Sequence, residues 1–135
     1  EEYRTHFSLW AMMAAPLMAG NDLANMTPEI HAILTNREVI AVDQDALGSA
    51  GGRTWKDGDR EVWSRRLADG GRAVILLNRG LEAQTISVDW ETLGLPADAR
   101  LQVRDLWAHR DLPAARGSFS AEVPSHGVVM VTLKG

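Results

Sequence analysis

The sequence has 135 residues, of which 45% are hydrophobic and 24% charged, with a net charge of -4 and no cysteine. This composition predicts a folded globular chain with one ordinary core or two small ones. Because the basic residues are scattered, a nucleic-acid-binding surface is not expected. The lack of cysteine excludes disulfides, thiolate metal sites and cysteine nucleophiles, and leaves the cellular compartment open.

An apolar stretch runs from Leu9 to Ala19 and is interrupted by Pro16. It is shorter than the roughly 20 apolar residues that a membrane-spanning helix needs. A signal peptide would have a basic start, whereas this chain begins Glu1-Glu2. We therefore expect neither a membrane span nor a targeting segment.

Helical and strand-like patterns alternate in the first 48 residues. Helical spacing of apolar residues predicts a helix over Glu2–Ala14, and the short apolar run Pro16–Ala19 suits a strand buried on both faces. A second helix is predicted to start at Thr27, and a short one to span Arg37–Val42 with Asn36 as its cap. This rhythm is typical of an α/β barrel or a doubly wound sheet. An eight-fold barrel needs about 250 residues, so this segment could form only its tail.

After the small-residue run Gly48–Gly52, which we interpret as a linker, the pattern changes to alternation. Turn residues separate segments at roughly the spacing of sandwich strands, so we expect an antiparallel Greek-key β-sandwich. The domains are therefore predicted at residues 1–48 and 49–135. The predicted strands are Glu61–Leu67, Arg72–Asn78, Ala83–Trp90, Leu101–Trp107, Ser118–Val123 and Val128–Leu133.

The best local candidates for substrate contact are Asn21 and Asp22, which directly follow the predicted buried strand. Polar groups at the carboxyl end of such a strand are where α/β enzymes bind substrate. The alternative, which a single sequence favours, is that both side chains cap backbone groups in the loop before the next helix.

For the other candidate catalytic or metal-binding residues, the sequence context favours a structural role. Asp43 and Asp45 could act as an acid and base pair, but two acids after a short helix are usually turn-formers. Asp57-Gly58-Asp59 is foremost a hairpin signal. Ser125-His126-Gly127 lacks the flanking glycines of a nucleophile elbow, which favours a turn. The four histidines lack metal-ligand spacing, so we expect no metal or cofactor; they are His6, His31, His109 and His126.

Four tryptophans fall in or beside the predicted β-half: Trp55, Trp63, Trp90 and Trp107. Exposed on a sandwich, such rings could stack against sugars, which would make this half a carbohydrate-binding module. The pattern favours a core role instead, because Trp90 lies in phase with Ile86 and Val88 and large aromatics are mostly buried.

Long motifs carry a family resemblance. The N-terminal half contains HFSLWAMMAAPLMAGNDLANMTPEIHAILTNREVIAVDQDALG, and the β-half contains EVWSRRL, AVILLNRG, LGLP, VRDLWAHRDL and PSHGVVMVTL. Together they resemble the α-galactosidase (melibiase) family, glycoside hydrolase family 27, which also holds α-N-acetylgalactosaminidases and β-L-arabinopyranosidases. The resemblance covers nearly the whole chain.

The resemblance implies the C-terminal fragment of a (β/α)8 TIM barrel, namely the seventh helix, eighth strand and last helices, followed by the sandwich. It also implies a retaining glycosidase that hydrolyses terminal α-D-galactosides with two aspartates. Both belong to family motifs that would precede Glu1, so no residue here receives a catalytic role, and the chain alone is predicted to be inactive. Its expected tasks are closing the barrel and shaping the active-site rim through Asn21 and Asp22.

Overall fold

The computed structural model describes Ser8, residues 36–43 and residues 51–135, without the side chains of Arg37, Ile40 and Asp43. Residues 36–43 and 51–135 form one α-helix, eight strands and a short 3-10 helix, and Ser8 is helical. No helix in the described ranges is long and apolar enough to cross a membrane. The helix is α1 (Arg37–Asp43), the 3-10 helix is Trp90–Leu93, and the strands are β1 (Gly52–Asp57), β2 (Arg60–Arg66), β3 (Arg72–Asn78), β4 (Gln84–Asp89), β5 (Arg100–Asp105), β6 (Arg110–Arg116), β7 (Ser118–Val123) and β8 (Val128–Lys134).

The strands form two antiparallel sheets. The larger sheet has the order β1-β2-β3-β8-β5-β6, and the smaller one pairs β4 with β7. Consecutive hairpins join β1 to β2 and β2 to β3, whereas β8 returns from the end of the chain to lie between β3 and β5. The β-half is therefore a β-sandwich, as the alternating pattern predicts.

The inner core lies between the two sheets. Ile86 and Val88 project from β4 into this core, where they join the alternate residues Val62, Val74 and Leu76 of the facing sheet. The alternation of Ile86 and Val88 with exposed Thr85 and Ser87 is what places one face of β4 inside and the other in solvent.

The central strand β3 is buried on both faces. Ala73, Val74, Ile75, Leu76 and Leu77 are all at most 1% exposed. Val74 and Leu76 face the inner core, whereas Ala73, Ile75 and Leu77 belong to a second apolar cluster on the outer face of the six-stranded sheet. A continuous apolar run is what a strand covered on both sides requires. The sheet is therefore the middle layer of the structure, with α1 on its outer side.

The six predicted strands are confirmed, with ends shifted by a few residues. At the end of β4, Trp90 does not continue the strand but opens the 3-10 helix, which Gly94 ends in the left-handed conformation at φ 73°. The Asp57-Gly58-Asp59 hairpin is also confirmed, since Asp57 pairs with Arg60 and Gly58 has φ 60°.

The structure adds two strands that the sequence pattern does not predict, β1 and β6. Gly52, which the sequence assigned to a linker, is the first residue of β1. The predicted helix over Arg37–Val42 is confirmed as α1. The strand Pro16–Ala19 and the helix at Thr27 lie outside the described residues, and of the predicted helix Glu2–Ala14 only Ser8 is described, in helical conformation.

Candidate functional site

The outer face of the six-stranded sheet receives α1. Val39 and Val42, three residues apart on one side of the helix, are 0% and 3% exposed. They pack into the outer cluster, which we define by its sheet and loop members Leu67, Ala73, Ile75, Leu77, Leu106, Val128 and Met130. The site described by the structure is therefore a docking surface between the sandwich and the N-terminal part of the chain.

Asn36 ties the start of α1 to the sandwich. Its Oδ1 accepts hydrogen bonds from the backbone N–H groups of Glu38, at 3.1 Å, and Val39, at 3.2 Å. This is the capping geometry predicted from the sequence. Its Nδ2 donates to the carbonyl of Leu106, 70 residues further on, at 3.1 Å. One buried amide thus serves both the helix and the loop between β5 and β6.

Glu38, in the first turn of α1, makes the ionic contacts of the site. Its carboxylate accepts a hydrogen bond from Nε of Arg104 at 2.8 Å and lies 2.5 Å from Nδ1 of His109. Burial acts to raise the pKa of Glu38, but the hydrogen bonds and charges of Arg104 and His109 outweigh it and hold that pKa below its ordinary value. The bond to Glu38 in turn raises the pKa of Arg104.

The turn between β5 and β6 is shaped for these contacts. Oδ1 of Asp105 accepts hydrogen bonds from the backbone N–H groups of Trp107, at 3.0 Å, and Ala108, at 2.9 Å. His109 then adopts φ 55°, an uncommon conformation for a non-glycine residue, and reaches Glu38. Nε1 of Trp107 donates to Oγ of the buried Ser8 at 2.9 Å. The turn therefore contacts the N-terminal part of the chain at three residues.

Arg65 holds the other end of α1. This buried β2 side chain donates from Nη1 to the carbonyl of Val42 in the last turn of the helix. A cation at that position satisfies a carbonyl group that has no partner within the helix and interacts favourably with the helix dipole. The sandwich thus contacts both ends of α1.

A cleft of about 420 Å³ lies beside the helix, between α1 and strands β5, β6 and β8. Its five charged lining residues are all in ion pairs. Arg104 pairs with Glu38 and Asp111, at 2.8 and 3.4 Å, and Lys134 pairs with Asp69 at 3.2 Å. With three carboxylates, Glu38, Asp69 and Asp111, against the two cations Arg104 and Lys134, the lining carries one excess negative charge, and each charged group already has an ion-pair partner.

The four tryptophans of the β-half are engaged in structural contacts. Trp90 is 0% exposed and donates from Nε1 to the carbonyl of Ala99 at 2.6 Å, which confirms its core role. Nε1 of Trp63 donates to Glu61, and Trp107 packs with Trp63 against the outer cluster. Trp55 is half-buried, and the guanidinium of Arg60 lies 5.7 Å from its ring centroid.

The sequence-predicted candidates are only partly described. Asn21, Asp22, Asp45, His6 and His31 lie outside the described residues, as does the side chain of Asp43. The turn interpretation of Ser125-His126-Gly127 holds, since Oγ of Ser125 donates to the carbonyl of Gly80 at 2.9 Å and the N–H of Gly127 to that of Pro124. The described ranges contain no group of three His, Asp or Glu side chains that could hold a metal ion.

The sequence predicts the cap at Asn36 but not the sandwich residues that contact α1. The contacts of Arg65, Arg104 and His109 with α1 have no local sequence pattern, because each spans 23 to 71 residues. All three lie in motifs of the family resemblance, Arg65 in EVWSRRL and Arg104 and His109 in VRDLWAHRDL, but a motif does not indicate which residues its side chains contact.

The sequence of the chain matches two models of one protein family. A family model for the C-terminal β-sandwich domain of α-galactosidase matches residues 57–133, more than half of the chain, and one for α-galactosidase A matches residues 1–45. The chain belongs to the α-galactosidase family. It comprises the C-terminal β-sandwich domain of the family and a part of the region that precedes it.

Curated α-galactosidases resemble the chain along almost its whole length. Alpha-galactosidase 3 of Arabidopsis thaliana is 44% identical over 137 residues, covering 98% of this chain and 31% of that protein. The α-galactosidase of Coffea arabica is 44% identical, covering 98% of this chain and 35% of that protein. The chain therefore spans about a third of the length of these relatives.

Solved structures from the same family have a similar fold along almost the whole chain. α-Galactosidase I from Mortierella vinacea is 37% identical with a TM-score of 0.92, covering 98% of this chain and 35% of that one. A family 27 β-L-arabinopyranosidase from Geobacillus stearothermophilus, solved in complex with arabinose, is 30% identical with a TM-score of 0.89, covering 99% of this chain and 30% of that one.

Proposed function

We propose that the chain is the C-terminal portion of a retaining glycosidase that hydrolyses terminal α-D-galactosides. The observation that carries this proposal is the order of the two family matches, with the α-galactosidase A region at residues 1–45 followed directly by the sandwich at residues 57–133. In this proposal residues 1–48 are the tail of the (β/α)8 barrel and residues 49–135 are the sandwich. The return of β8 beside β5 supports the Greek-key connection.

The proposed task of the chain is structural. It closes the barrel through the strand at Leu17-Met18-Ala19 and contributes Asn21 and Asp22 to the rim of the active site. The sandwich packs against this part through the contacts of Asn36, Glu38 and Val42. The catalytic aspartates of the family fall in motifs that this chain does not match, so it is inactive by itself.

Within the family, β-L-arabinopyranosidase is the second candidate activity. The relative with that activity is 30% identical and its match covers 99% of this chain, which supports this alternative. A putative α-N-acetylgalactosaminidase from Bacillus halodurans, at 22% identity, supports the fold alone.

A chimera tests the proposal. The matching third of Mortierella vinacea α-galactosidase I is replaced by residues 1–135 of this chain, and release of nitrophenol from an aryl α-galactoside is measured. We expect activity, because the two share 37% identity and the same fold. An Asp22→Ala chimera should be less active than the parent chimera if Asp22 belongs to the rim. A chimera that folds, binds no galactose and hydrolyses nothing would refute the proposal.

A further inference from the structure

The helix α1 is poorly suited to form by itself. It has seven residues, REVIAVD, whereas isolated helices shorter than about 12 to 15 residues are marginal in water. Three of the seven, Val39, Ile40 and Val42, are β-branched residues, which lose side-chain freedom in a helix. Its stability must therefore come largely from contacts outside the helix.

The sandwich supplies such contacts on three sides of α1. At the start, the carbonyl of Leu106 accepts from the capping residue Asn36 at 3.1 Å. At the end, Arg65 donates to the carbonyl of Val42. Along the exposed side, Arg104 donates to Glu38 at 2.8 Å, while the two buried valines lie on the outer cluster.

We propose that the outer face of the six-stranded sheet, with the Asp105–His109 turn at one end and Arg65 at the other, is a clamp that folds residues 36–43 into a helix on contact. The clamp releases the helix in a local opening that leaves the sheet intact. This inference is independent of the proposed function, since it concerns the order in which parts of the chain unfold and not the sugar.

We expect α1 to open locally because its contacts with the sandwich differ in kind from those that hold β3 in the sheet. The strand β3 is hydrogen-bonded on one side to β2 and on the other to β8 over its length, and its side chains are buried on both faces. In the part of the chain that the structure describes, side-chain bonds and two valines hold α1 to the sandwich, whereas backbone hydrogen bonds to two neighbouring strands hold β3. Elements outside the backbone ladder of a core sheet open at lower free energy than its central strands.

Native-state hydrogen exchange on the full chain tests the clamp. The amides of Ala41 and Val42 report the helix, and those of Ile75 and Leu76 report β3. We expect Arg65→Met to reduce helix protection about tenfold, because it removes a buried hydrogen bond from a charged group. Arg104→Gln, a milder change at a half-exposed ion pair, should reduce it about threefold and serves if Arg65→Met does not fold. Arg100→Gln, at an exposed position of β5, is the matched control.

A second variant separates local from global opening. Ile86→Val weakens the inner core on the opposite side of the sheet from α1, so protection of β3 should fall about two- to tenfold. Helix protection should not change, because the sheet stays folded when the helix is released. The substitution therefore destabilises the native state and the helix-released state equally. The proposal is overturned if helix protection falls with that of β3 in Ile86→Val, or if neither Arg65→Met nor Arg104→Gln changes it.

Discussion

At the scale of single residues, Glu61 shows how the sandwich accommodates a charge on its outer face. Its side chain is 2% exposed, yet it accepts hydrogen bonds from Nε of Arg79, at 2.6 Å, and Nε1 of Trp63, at 3.0 Å. Arg53 lies 3.9 Å away. Burial acts to raise the pKa of Glu61, but these partners outweigh it and hold the pKa below its ordinary value. The ionised form is thus favoured in the folded protein.

This carboxylate makes the stability of the chain depend on pH. Because its pKa is lower in the folded than in the unfolded chain, the unfolded chain binds more protons as the pH falls. The stabilisation is complete above the ordinary glutamate pKa of about 4.3 and is lost as the pH falls through the folded value. In urea unfolding, the free energy of unfolding of the wild-type chain should exceed that of Glu61→Gln by a constant amount near neutral pH. This difference should shrink below about pH 4. Glu122→Gln, at an exposed position of β7, is the control. A margin independent of pH would contradict this account.

At the scale of secondary structure, the sequence predicts the elements with strong alternation and misses those without it. β4 was found because Ile86 and Val88 alternate with polar residues. β1 was missed because it begins at Gly52, within a run of small residues, and is exposed along most of its length. β6 contains Pro113 and is exposed or half-buried throughout. Both lie at edges of the sheet, where pairing and not burial defines the strand.

The sequence predicts the local contacts of the docking site but not its long-range ones. The cap at Asn36 is predictable because capping is local: its side chain accepts hydrogen bonds from the N–H groups two and three residues later. Its second bond, to Leu106, depends on where the sheet places a loop 70 residues away. Local patterns contain no information about such a distance, so Arg65, Arg104 and His109 became visible only in the folded chain.

The 3-10 helix Trp90–Leu93 depends on the residue that ends it. Gly94 has φ 73°, and its N–H bonds back to the carbonyls of Glu91 and Trp90. A side chain at this φ is strained, so we expect Gly94→Ala to reduce the free energy of unfolding by about 1–2 kcal/mol. Gly52→Ala is the matched control, because Gly52 also has open space around its Cβ position but no positive φ. Equal effects of the two substitutions in urea denaturation would contradict the role of the left-handed conformation.

At the scale of the whole molecule, the described residues form three layers: the β4–β7 sheet, the six-stranded sheet and α1. The middle sheet has two apolar faces, one for each neighbour. A free-standing sandwich would place polar residues on the outer face, since one side of such a sheet is normally solvated. The apolar outer face is therefore explained by docking to the N-terminal part of the chain, whose residues 1–45 match the family model for α-galactosidase A.

The proposed division of labour predicts an inactive chain. Residues 1–135 alone should release no nitrophenol from an aryl α-galactoside, because the proposal assigns both catalytic aspartates to motifs outside this sequence. Measured turnover could still come from a contaminating enzyme, so the Asp22→Ala variant is purified and assayed in parallel. Turnover that is present in the chain and lost in Asp22→Ala would overturn the prediction.

The rival function, a carbohydrate-binding sandwich, predicts that sugars change tryptophan fluorescence. The structure argues against it at each indole of the β-half: Trp90 is buried, Trp63 and Trp107 pack on the outer cluster, and Arg60 lies over the ring of Trp55. A sugar-stacking site needs an open ring face. We therefore expect no saturable fluorescence change when galactose or α-galactoside oligosaccharides are titrated into the chain. A saturable change that disappears in Trp55→Ala would favour the rival, because Trp55 is half-buried and lies in an edge strand of the sheet.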